Sequence, residues 1–269
     1  MAASQGRIGI IGAGNMGFAL AKGLTAGEQP RELLLYDTDG DKARDGAAAT
    51  GAEAAGSAEE LIEKSGIIVI AIKPQHLSAF FSRLSAETKD RRFISIVAGK
   101  RITEFQEKLR TQQVVRFMPN LAATVSASVV GVAVPEGIEE DFRMESLSIA
   151  EALGTAVPLP EELISAVTGL SGSGIAYVFT FLHAMALGGT QAGIPYNTSL
   201  GIARQTMRGA LEVLDQGETG PSEMLTRVAS AGGTTIRGLR ALEERGFTAA
   251  VMDAINKAAD RASEIERSS

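Results

Sequence analysis

A short apolar run and a glycine-rich turn lie next to each other in Arg7-Ile8-Gly9-Ile10-Ile11-Gly12-Ala13-Gly14-Asn15-Met16-Gly17. The apolar run predicts a buried strand, and the helical pattern of residues 16–25 follows the turn. The pattern G-x-G-x-x-G is typical of a turn that lets the backbone approach a pyrophosphate and pack closely on the next helix. Free N–H groups at the start of that helix suit an anion. The stretch therefore predicts a dinucleotide site at Gly12, Gly14, Asn15, Met16 and Gly17.

The end of the second strand bears on the choice of cofactor. Leu33-Leu34-Leu35-Tyr36-Asp37 predicts a strand whose final acid follows Gly17 by about 20 residues, the usual spacing for an acid that binds a ribose. A carboxylate there accepts a hydrogen bond from the 2′-hydroxyl of NADH and repels the 2′-phosphate of NADPH. Lys42 and Arg44 are near enough in sequence to attract that phosphate. Asp37 therefore favours NADH without excluding NADPH, unless it is only a surface acid of the turn.

The first 160 residues alternate between apolar runs and helical patterns. Further strands are predicted at residues 67–72, 93–97, 114–117 and 129–134. Fully apolar strands separated by helices indicate a parallel sheet that is covered on both faces. Ser57, followed three residues later by Glu60, forms a capping box at the start of one of these helices.

Three further turns follow predicted strands, at the edge of the sheet where open α/β folds bind ligands. They are Ala71-Ile72-Lys73-Pro74, Ile96-Val97-Ala98-Gly99 and Arg116-Phe117-Met118-Pro119-Asn120. Each alone could be a plain strand-ending turn, and together they would line one crevice. The residues that we expect to contact the cofactor there are Ala71, Lys73, Pro74, Ala98 and Asn120.

The strand signal ends at residue 160, and only helical patterns follow. They cover residues 161–169, 174–192, 197–215, 221–228, 235–244 and 248–266. The sequence therefore predicts an α/β fold, with an N-terminal Rossmann domain on a parallel sheet (residues 1–160) and an all-α C-terminal domain (residues 161–269). The apolar window 175–187 is shorter than the roughly 20 residues that span a bilayer, so it predicts a buried helix.

Composition excludes several classes of protein. The 269 residues include 26 Lys and Arg against 32 Asp and Glu, and the net charge of −6 disfavours a nucleic-acid binder. The absence of Cys excludes thiolate metal sites and cysteine nucleophiles, and His76 and His183 are too few for a His-rich metal site. A carboxylate-only metal site stays open as an alternative, and we predict no metal. No signal-peptide pattern is present at the start. We expect a cytoplasmic protein that acts on a small molecule and has no nucleic-acid or membrane partner.

Two clusters of glycine and hydroxyl residues precede helices in the second half. In Leu170-Ser171-Gly172-Ser173-Gly174 and the residue before it, Gly169-Leu170-Ser171-Gly172-Ser173 nearly matches the G-x-S-x-G turn of hydrolases, but its last residue is Ser instead of Gly and it lies outside the alternating sheet, which argues against that chemistry. Either it lets helices pack closely or Ser173 contacts the substrate. Ser230-Ala231-Gly232-Gly233-Thr234-Thr235-Ile236 offers N–H groups and hydroxyls that suit a carboxylate or phosphate, unless Thr234 is simply a helix N-cap.

With these motifs the chain resembles the pyrroline-5-carboxylate reductases over nearly its whole length. Besides the glycine fingerprint, the resemblance rests on Lys73-Pro74-Gln75, Met118-Pro119-Asn120, Ala166-Val167-Thr168-Gly169-Leu170-Ser171-Gly172-Ser173-Gly174 and Gly232-Gly233-Thr234-Thr235-Ile236. It implies hydride transfer from NAD(P)H, with NADPH the common family cofactor, to the C=N bond of 1-pyrroline-5-carboxylate. The product would be L-proline. It also implies a helical domain that forms an interwoven homodimer, often assembled further.

The resemblance also implies roles for single residues. Thr235 would hydrogen-bond the imine nitrogen and relay or orient a proton, and Ser173 is the second catalytic candidate. Glu161 would be an acid that faces the substrate, unless it is an ordinary exposed acid in the first turn of a helix. The residues that would hold the substrate carboxylate are Ser230, Gly233 and Thr234.

The chain departs from the family pattern at several positions. Ala122, Ile175 and Ala231 stand where the family usually has Pro, and Arg227 stands where it usually has a small amide. Ala231 and Arg227 border the proposed substrate loop, so a reductase of another cyclic imine carboxylate is an alternative. A non-catalytic nucleotide-binding regulator is a second alternative. A β-hydroxyacid dehydrogenase is disfavoured because residues 161–220 contain no Lys for its catalytic position.

Overall fold

The computed structural model describes residues 4–26, 30–89, 91–217 and 219–268. Its internal contacts divide the chain into two compact units, residues 1–173 with 257–269 and residues 174–256. Ile164, which follows the boundary predicted after residue 160, belongs to the apolar core of the first unit. The boundary at residue 160 stays a prediction.

The first unit is built on an eight-stranded sheet in the order β3-β2-β1-β4-β5-β6-β7-β8. Its strands are β1 (Ser4–Ile11), β2 (Leu33–Tyr36), β3 (Glu53–Ala54), β4 (Ser65–Ile70), β5 (Arg92–Ser95), β6 (Val114–Met118), β7 (Ser128–Ala133) and β8 (Gly154–Pro158). Because β1 pairs in parallel with both β2 and β4, the strand order reverses beside β1. That reversal is where open α/β sheets bind ligands.

Helices cover both faces of this sheet, as the continuous apolar strands predicted. Ile67 and Val69 of β4 belong to the core on one face, and Ile68 and Ile70 belong to the core on the other. The predicted cap of α3 is confirmed, since the Ser57 hydroxyl accepts a hydrogen bond from the backbone N–H three residues later. The helices are α1 (Asn15–Ala26), α2 (Gly40–Thr50), α3 (Ala58–Lys64), α4 (Pro74–Arg83), α5 (Ile102–Leu109) and α6 (Glu140–Glu151).

One end of the sheet differs from the predicted parallel arrangement. β7 pairs antiparallel with β6, because the connection of residues 119–127 is shorter than the dozen or more residues that a parallel crossover needs. β8 then pairs in parallel with β7. The sequence did not predict β8 or the two-residue β3, and neither has the continuous burial of a central strand.

The second half of the chain is helical, as predicted. Two non-α turns interrupt its first helical stretch, a 3-10 turn at Glu161–Leu163 and a π turn at Thr168–Gly172. Helix α12 begins within the second unit and ends within the first. The helices are α7 (Ile164–Val167), α8 (Gly174–Gln191), α9 (Tyr196–Gln216), α10 (Pro221–Val228), α11 (Thr234–Glu244) and α12 (Phe247–Arg267).

Most apolar side chains of the second unit are exposed in the single chain. Ala186 is the buried residue of α8, and α10 and α11 have no buried residue in the part of the chain that the structure describes. Val178 and Phe179 are 43 % and 55 % exposed. The prediction of a buried helix at residues 175–187 is therefore wrong for one chain alone, because these helices enclose almost no core of their own.

Among the residues that the structure describes, one helical segment, Glu161–Gln191, is long and apolar enough to cross a membrane by length and composition alone. It is longer than the apolar window 175–187 because helical structure begins well before that window. Exposed apolar helices of this kind are also typical of surfaces that a partner chain covers.

Candidate active site

The turn between β1 and α1 has the shape that its glycine pattern predicted. Gly12 has a φ of +104°, and a Cβ there would lie 2.6 Å from the carbonyl oxygen of Ala71. A Cβ at Gly17 would overlap the carbonyl oxygen of Gly12, whereas the space around Gly14 is open. Gly12 and Gly17 therefore fix the turn and the packing of α1, and Gly14 leaves room for a ligand to approach.

The start of α1 offers hydrogen-bond donors to an anion. The Phe18 N–H donates to the carbonyl oxygen of Gly14 at 2.8 Å. The N–H groups that precede this bond lack acceptors within the helix, and no acidic side chain lies in the first turn. Gly14 and Asn15 are exposed, and Met16 is half-buried. A pyrophosphate at this position would meet free donors and the positive end of the helix dipole.

Asp37 follows β2 directly and fixes the glycine turn. Its Oδ2 accepts a hydrogen bond from the Ala13 N–H at 2.8 Å, and its Oδ1 accepts one from the Asp39 N–H at 2.9 Å. The sequence did not predict these two bonds. Asp37 is half-exposed, and each carboxylate oxygen has a second lone pair that a ribose hydroxyl can use.

The two cations near Asp37 are paired with acids. The Lys42 Nζ lies 3.2 Å from a carboxylate oxygen of Asp39, and the Arg44 guanidinium lies 2.5 Å from Asp41. The hydrogen bond from Lys42 lowers the pKa of Asp39, so this acid stays ionised at neutral pH. Negative groups therefore outnumber positive ones around the predicted ribose position.

The turns after β4 and β5 lie at the same edge of the sheet as the glycine turn, because β1, β4 and β5 are parallel. The Ala71 N–H donates to the carbonyl oxygen of Ile11 at 2.8 Å, which places Ala71 beside that turn. Lys73, Pro74 and Ala98 are exposed. The structure brings these predicted cofactor residues to one edge, and their contact with a cofactor stays a prediction.

Asn120, after β6, is bonded to the Ser-Gly motif of the second half. Its Oδ1 accepts from the Ala122 N–H at 2.9 Å, and its Nδ2 donates to the Ser171 hydroxyl at 2.9 Å. The motif forms the π turn, in which the Ser173 N–H donates to the carbonyl oxygen of Thr168 at 2.8 Å. Such turns frequently occur at functional sites. The sequence pattern did not predict the π turn or its bond to Asn120.

Glu161 is not the ordinary exposed acid that was the alternative for it. Its Oε1 accepts from the Arg116 guanidinium at 3.1 Å and from the Ile102 N–H at 2.8 Å. The Arg116 side chain is 2 % exposed and that of Glu161 is 19 % exposed. The alternative is wrong because a buried arginine draws the carboxylate into the fold. A contact between Glu161 and substrate stays a prediction.

The hydroxyl cluster of the second unit forms the turn before α11. Gly232 has a φ of +68°, and a Cβ at Gly233 would overlap the Ser230 hydroxyl. Gly233 is the N-cap of α11 and makes no side-chain capping bond, so the alternative of a Thr234 cap is wrong. The first amides of α11 therefore lack a side-chain cap. Ser230 and Thr234 are exposed, and Thr235 is half-buried.

The departures from the family pattern have local consequences. Arg227 donates to Glu223 at 2.7 Å within α10. The Ala122 backbone N–H donates to the side-chain Oδ1 of Asn120, a bond that a proline could not make. Ile175 lies in the first turn of α8, where a proline would be tolerated.

The strand order, the glycine turn and Asp37 place the first unit in the class of Rossmann domains that bind dinucleotides. Residues 7–99 match the family described as NADP oxidoreductase coenzyme F420-dependent. Residues 161–265 match the family described as pyrroline-5-carboxylate reductase dimerisation. These two matches define an NAD(P)-dependent oxidoreductase whose helical half matches a dimerisation family.

Full-length relatives identify the family. A pyrroline-5-carboxylate reductase of Methanosarcina acetivorans is 38 % identical over 263 residues, which cover 96 % of this chain and 97 % of the relative. The chain belongs to the pyrroline-5-carboxylate reductase family, as the motifs predicted. This membership removes the β-hydroxyacid dehydrogenase alternative.

Solved structures agree with the fold. The 1-pyrroline-5-carboxylate reductase of Streptococcus pyogenes is 29 % identical, has a TM-score of 0.86, and covers 96 % of this chain and 98 % of its own. The Plasmodium falciparum pyrroline carboxylate reductase with NADP bound shares the fold at 24 % identity, with a TM-score of 0.86 over 98 % of this chain and 100 % of its own. The predicted fold class is confirmed.

Proposed function

We propose that the protein reduces the C=N bond of 1-pyrroline-5-carboxylate to give L-proline, the final step of proline synthesis. The observation that carries this proposal is the 38 % identity to a pyrroline-5-carboxylate reductase over 96 % of the chain. The turn before α11 supports it, because uncapped amides and exposed hydroxyls at a helix start suit the carboxylate of such an imine.

The first unit would hold the cofactor. The open space at Gly14 and the free donors at Asn15 and Met16 fit a pyrophosphate, and Asp37 fits the adenine ribose. A bound reduced nicotinamide supplies the hydride. The residues that would line the crevice are Ala71, Lys73, Pro74, Ala98 and Asn120.

NADH is the preferred cofactor in this proposal. Asp37 would face the 2′-position of the ribose, and Lys42 and Arg44 are already paired with the acids Asp39 and Asp41. A 2′-phosphate would therefore meet three carboxylates and only two cations. NADP is the dinucleotide bound in the Plasmodium falciparum relative. The two cofactors have to be compared directly.

Residues of the second half of the chain would bind the substrate and direct the proton transfer. The turn at Ser230, Gly233 and Thr234 would bind the carboxylate. The imine nitrogen must gain a proton as the neighbouring carbon gains the hydride, so one new C–H bond and one new N–H bond replace the π bond of C=N, and the C–N single bond remains. A hydroxyl pKa is far above neutral, and Thr235 therefore orients or relays this proton. Ser173 is the second candidate for contact with the imine.

The functional form would be a homodimer through the helical half, residues 161–269, with dimers as the unit of any larger assembly. Val178, Phe179 and Leu187 of α8 are exposed in the single chain and form part of an apolar surface that a second copy would cover. A cytoplasmic location, with no nucleic-acid or membrane partner, belongs to the same proposal.

The proposal is tested by following the absorbance of NADH and NADPH with a panel of imines. The panel contains 1-pyrroline-5-carboxylate, pyrroline-2-carboxylate and the piperideine carboxylates. We expect 1-pyrroline-5-carboxylate to have the highest kcat/KM of these imines. A higher value for another imine would indicate that Ala231 and Arg227 have changed the substrate. Tight cofactor binding without turnover of any imine would favour the non-catalytic regulator.

A further inference from the structure

A buried arginine joins parts of the first unit that are far apart in sequence. Arg116 lies in the middle of β6, paired with β5 on one side and β7 on the other, and its side chain is 2 % exposed. Its NH1 donates to Glu161 at 3.1 Å, and its NH2 donates to Glu266 at 2.5 Å. Glu161 starts the helical half of the chain, and Glu266 lies in the last turn of α12. One guanidinium thus binds both ends of that half.

Arg116, Glu161 and Glu266 form a charged cluster. Glu161 links this cluster to the connection between β5 and α5, residues 96–101. Its carboxylate accepts the Ile102 N–H at 2.8 Å. Arg101 is the N-cap residue of α5 and provides no side-chain cap. Glu161 therefore caps α5 from a distant part of the chain and fixes the end of the connection.

The end of α12 lies directly on the same connection. Gly99 has a φ of +70°, and a Cβ there would lie 2.6 Å from Cγ2 of Ile265. The next residue, Glu266, has its second carboxylate oxygen 4.0 Å from Nε of Arg101. Glu266 and Ile265 therefore hold the middle of the connection, where the exposed Ala98 precedes Gly99.

Stability alone does not explain this cluster. Apolar residues of similar volume often stabilise a protein as well as a buried ion pair or better, because burying the charges costs their hydration. A planar guanidinium with two carboxylates instead fixes directions, since its donors point along set lines. What the cluster provides is a defined position for the groups attached to it.

With the adenine ribose after β2 and the pyrophosphate after β1, the nicotinamide end of the cofactor would lie on the other side of β1, towards the turns after β4 and β5. We infer that Arg116, acting through Glu161 and Glu266, is a positioning residue that holds the turn at Ala98 and Gly99 against that end. The inference rests on the proposed cofactor role of Ala98. Misplacement by about 1 Å can slow a reaction by about 100-fold. Cofactor affinity depends largely on the glycine turn and Asp37, which the cluster does not touch. Loosening the cluster therefore lowers kcat more than it weakens cofactor binding.

The test compares Glu266→Gln with Glu264→Gln in the full-length protein. Both changes remove one carboxylate from the end of α12, but the Glu264 side chain is 58 % exposed and pairs at the surface with Arg261. We expect Glu266→Gln to lower kcat about tenfold, to change the dissociation constant of NADH less than about threefold, and to speed amide exchange at residues 98–102. We expect Glu264→Gln to match the wild type in all three measurements.

Two results would overturn the inference. One is a Glu266→Gln variant with a lower melting temperature but wild-type kcat and exchange, which would make the cluster purely structural. The other is an equal loss in both variants. If Glu266→Gln does not fold, Glu266→Asp, which keeps the charge on a shorter stem, is judged by the same measurements. If the wild type does not reduce 1-pyrroline-5-carboxylate, the proposed function fails, and amide exchange with and without NADH still tests the positioning role.

Discussion

The choice between NADH and NADPH can be tested at Asp37 with Asp37→Asn. This change keeps the size of the side chain and one oxygen acceptor, and it removes the negative charge. A Ser would be too short to reach the Ala13 N–H, to which Asp37 is bonded at 2.8 Å. The isosteric Asn therefore separates the effect of charge from the collapse of the glycine turn.

The expected magnitude follows from the surroundings of the carboxylate. Two unit charges about 4 Å apart repel by about 1 kcal/mol in water and about 4 kcal/mol near a protein surface. Asp37 is half-exposed, so we take about 1.4–2.8 kcal/mol, which is roughly a 10- to 100-fold change in affinity for a 2′-phosphate. The variant also loses a charge-assisted bond to the Ala13 or Asp39 N–H, at about 1.5–3 kcal/mol. That loss affects both cofactors and cancels in their ratio.

The assay is the ratio of kcat/KM for NADPH to kcat/KM for NADH, in the wild type and in Asp37→Asn. We expect the wild type to favour NADH and the ratio to rise by about tenfold or more in the variant. Asp45→Asn is the control, because Asp45 is an exposed acid of α2 that lies outside the three carboxylates and two cations counted above. A ratio that stays within about twofold of the wild type in Asp37→Asn would refute the reasoning. It would mean that Lys42 and Arg44 bind the 2′-phosphate and neutralise its charge.

Three further predictions concern the glycine turn, the role of Thr235 in proton transfer and the assembly. Gly17→Ala places a Cβ onto the carbonyl oxygen of Gly12, so NADH binding measured by calorimetry should weaken by about tenfold or more. Gly14→Ala meets no neighbour in the chain but fills the room left for the pyrophosphate, so it should weaken NADH binding while the melting temperature stays unchanged. Thr235→Ala should lower kcat by about 10²–10⁴-fold with an unchanged NADH dissociation constant, and a normal kcat would leave Thr235 without a role in proton transfer. Val178→Asp puts a charge on the exposed apolar face of α8 and should shift sedimentation towards a monomer; a dimer as tight as the wild type would place the interface elsewhere.

Much of the fold could be predicted because its signals are local. The apolar run before Gly12, the glycine spacing and the Ser57 cap each act within a few residues, and the structure has each as predicted. The helices of the second half were predicted for the same reason, since a period of 3.6 residues is visible without a partner. The antiparallel direction of β7 was not predicted, because it depends on the length of the connection after β6 and on which edge of the sheet is open.

In the candidate site, too, the features with local signals were predicted and the long-range contacts were not. Residue type and spacing were enough to single out the glycine turn, Asp37 and the cluster from Ser230 to Thr235, because anion binding at a helix start needs only a short stretch of chain. The bond from Asn120 to Ser171 and the π turn were not predictable, since they depend on side chains that meet across the fold.

The sequence by itself therefore determined the class of fold, the family and the two anion-binding turns, which are properties of contiguous residues. Only the tertiary structure decided that Asp37 also supports the glycine turn, that Glu161 caps α5, and that Arg116 binds Glu266 from 150 positions away. An arginine in an apolar strand carries no sequence signal of its partner. A buried charge needs a partner of opposite charge within hydrogen-bonding distance. Which residue becomes that partner depends on how the sheet and the helices pack, because packing decides which distant segments of the chain come close to the arginine.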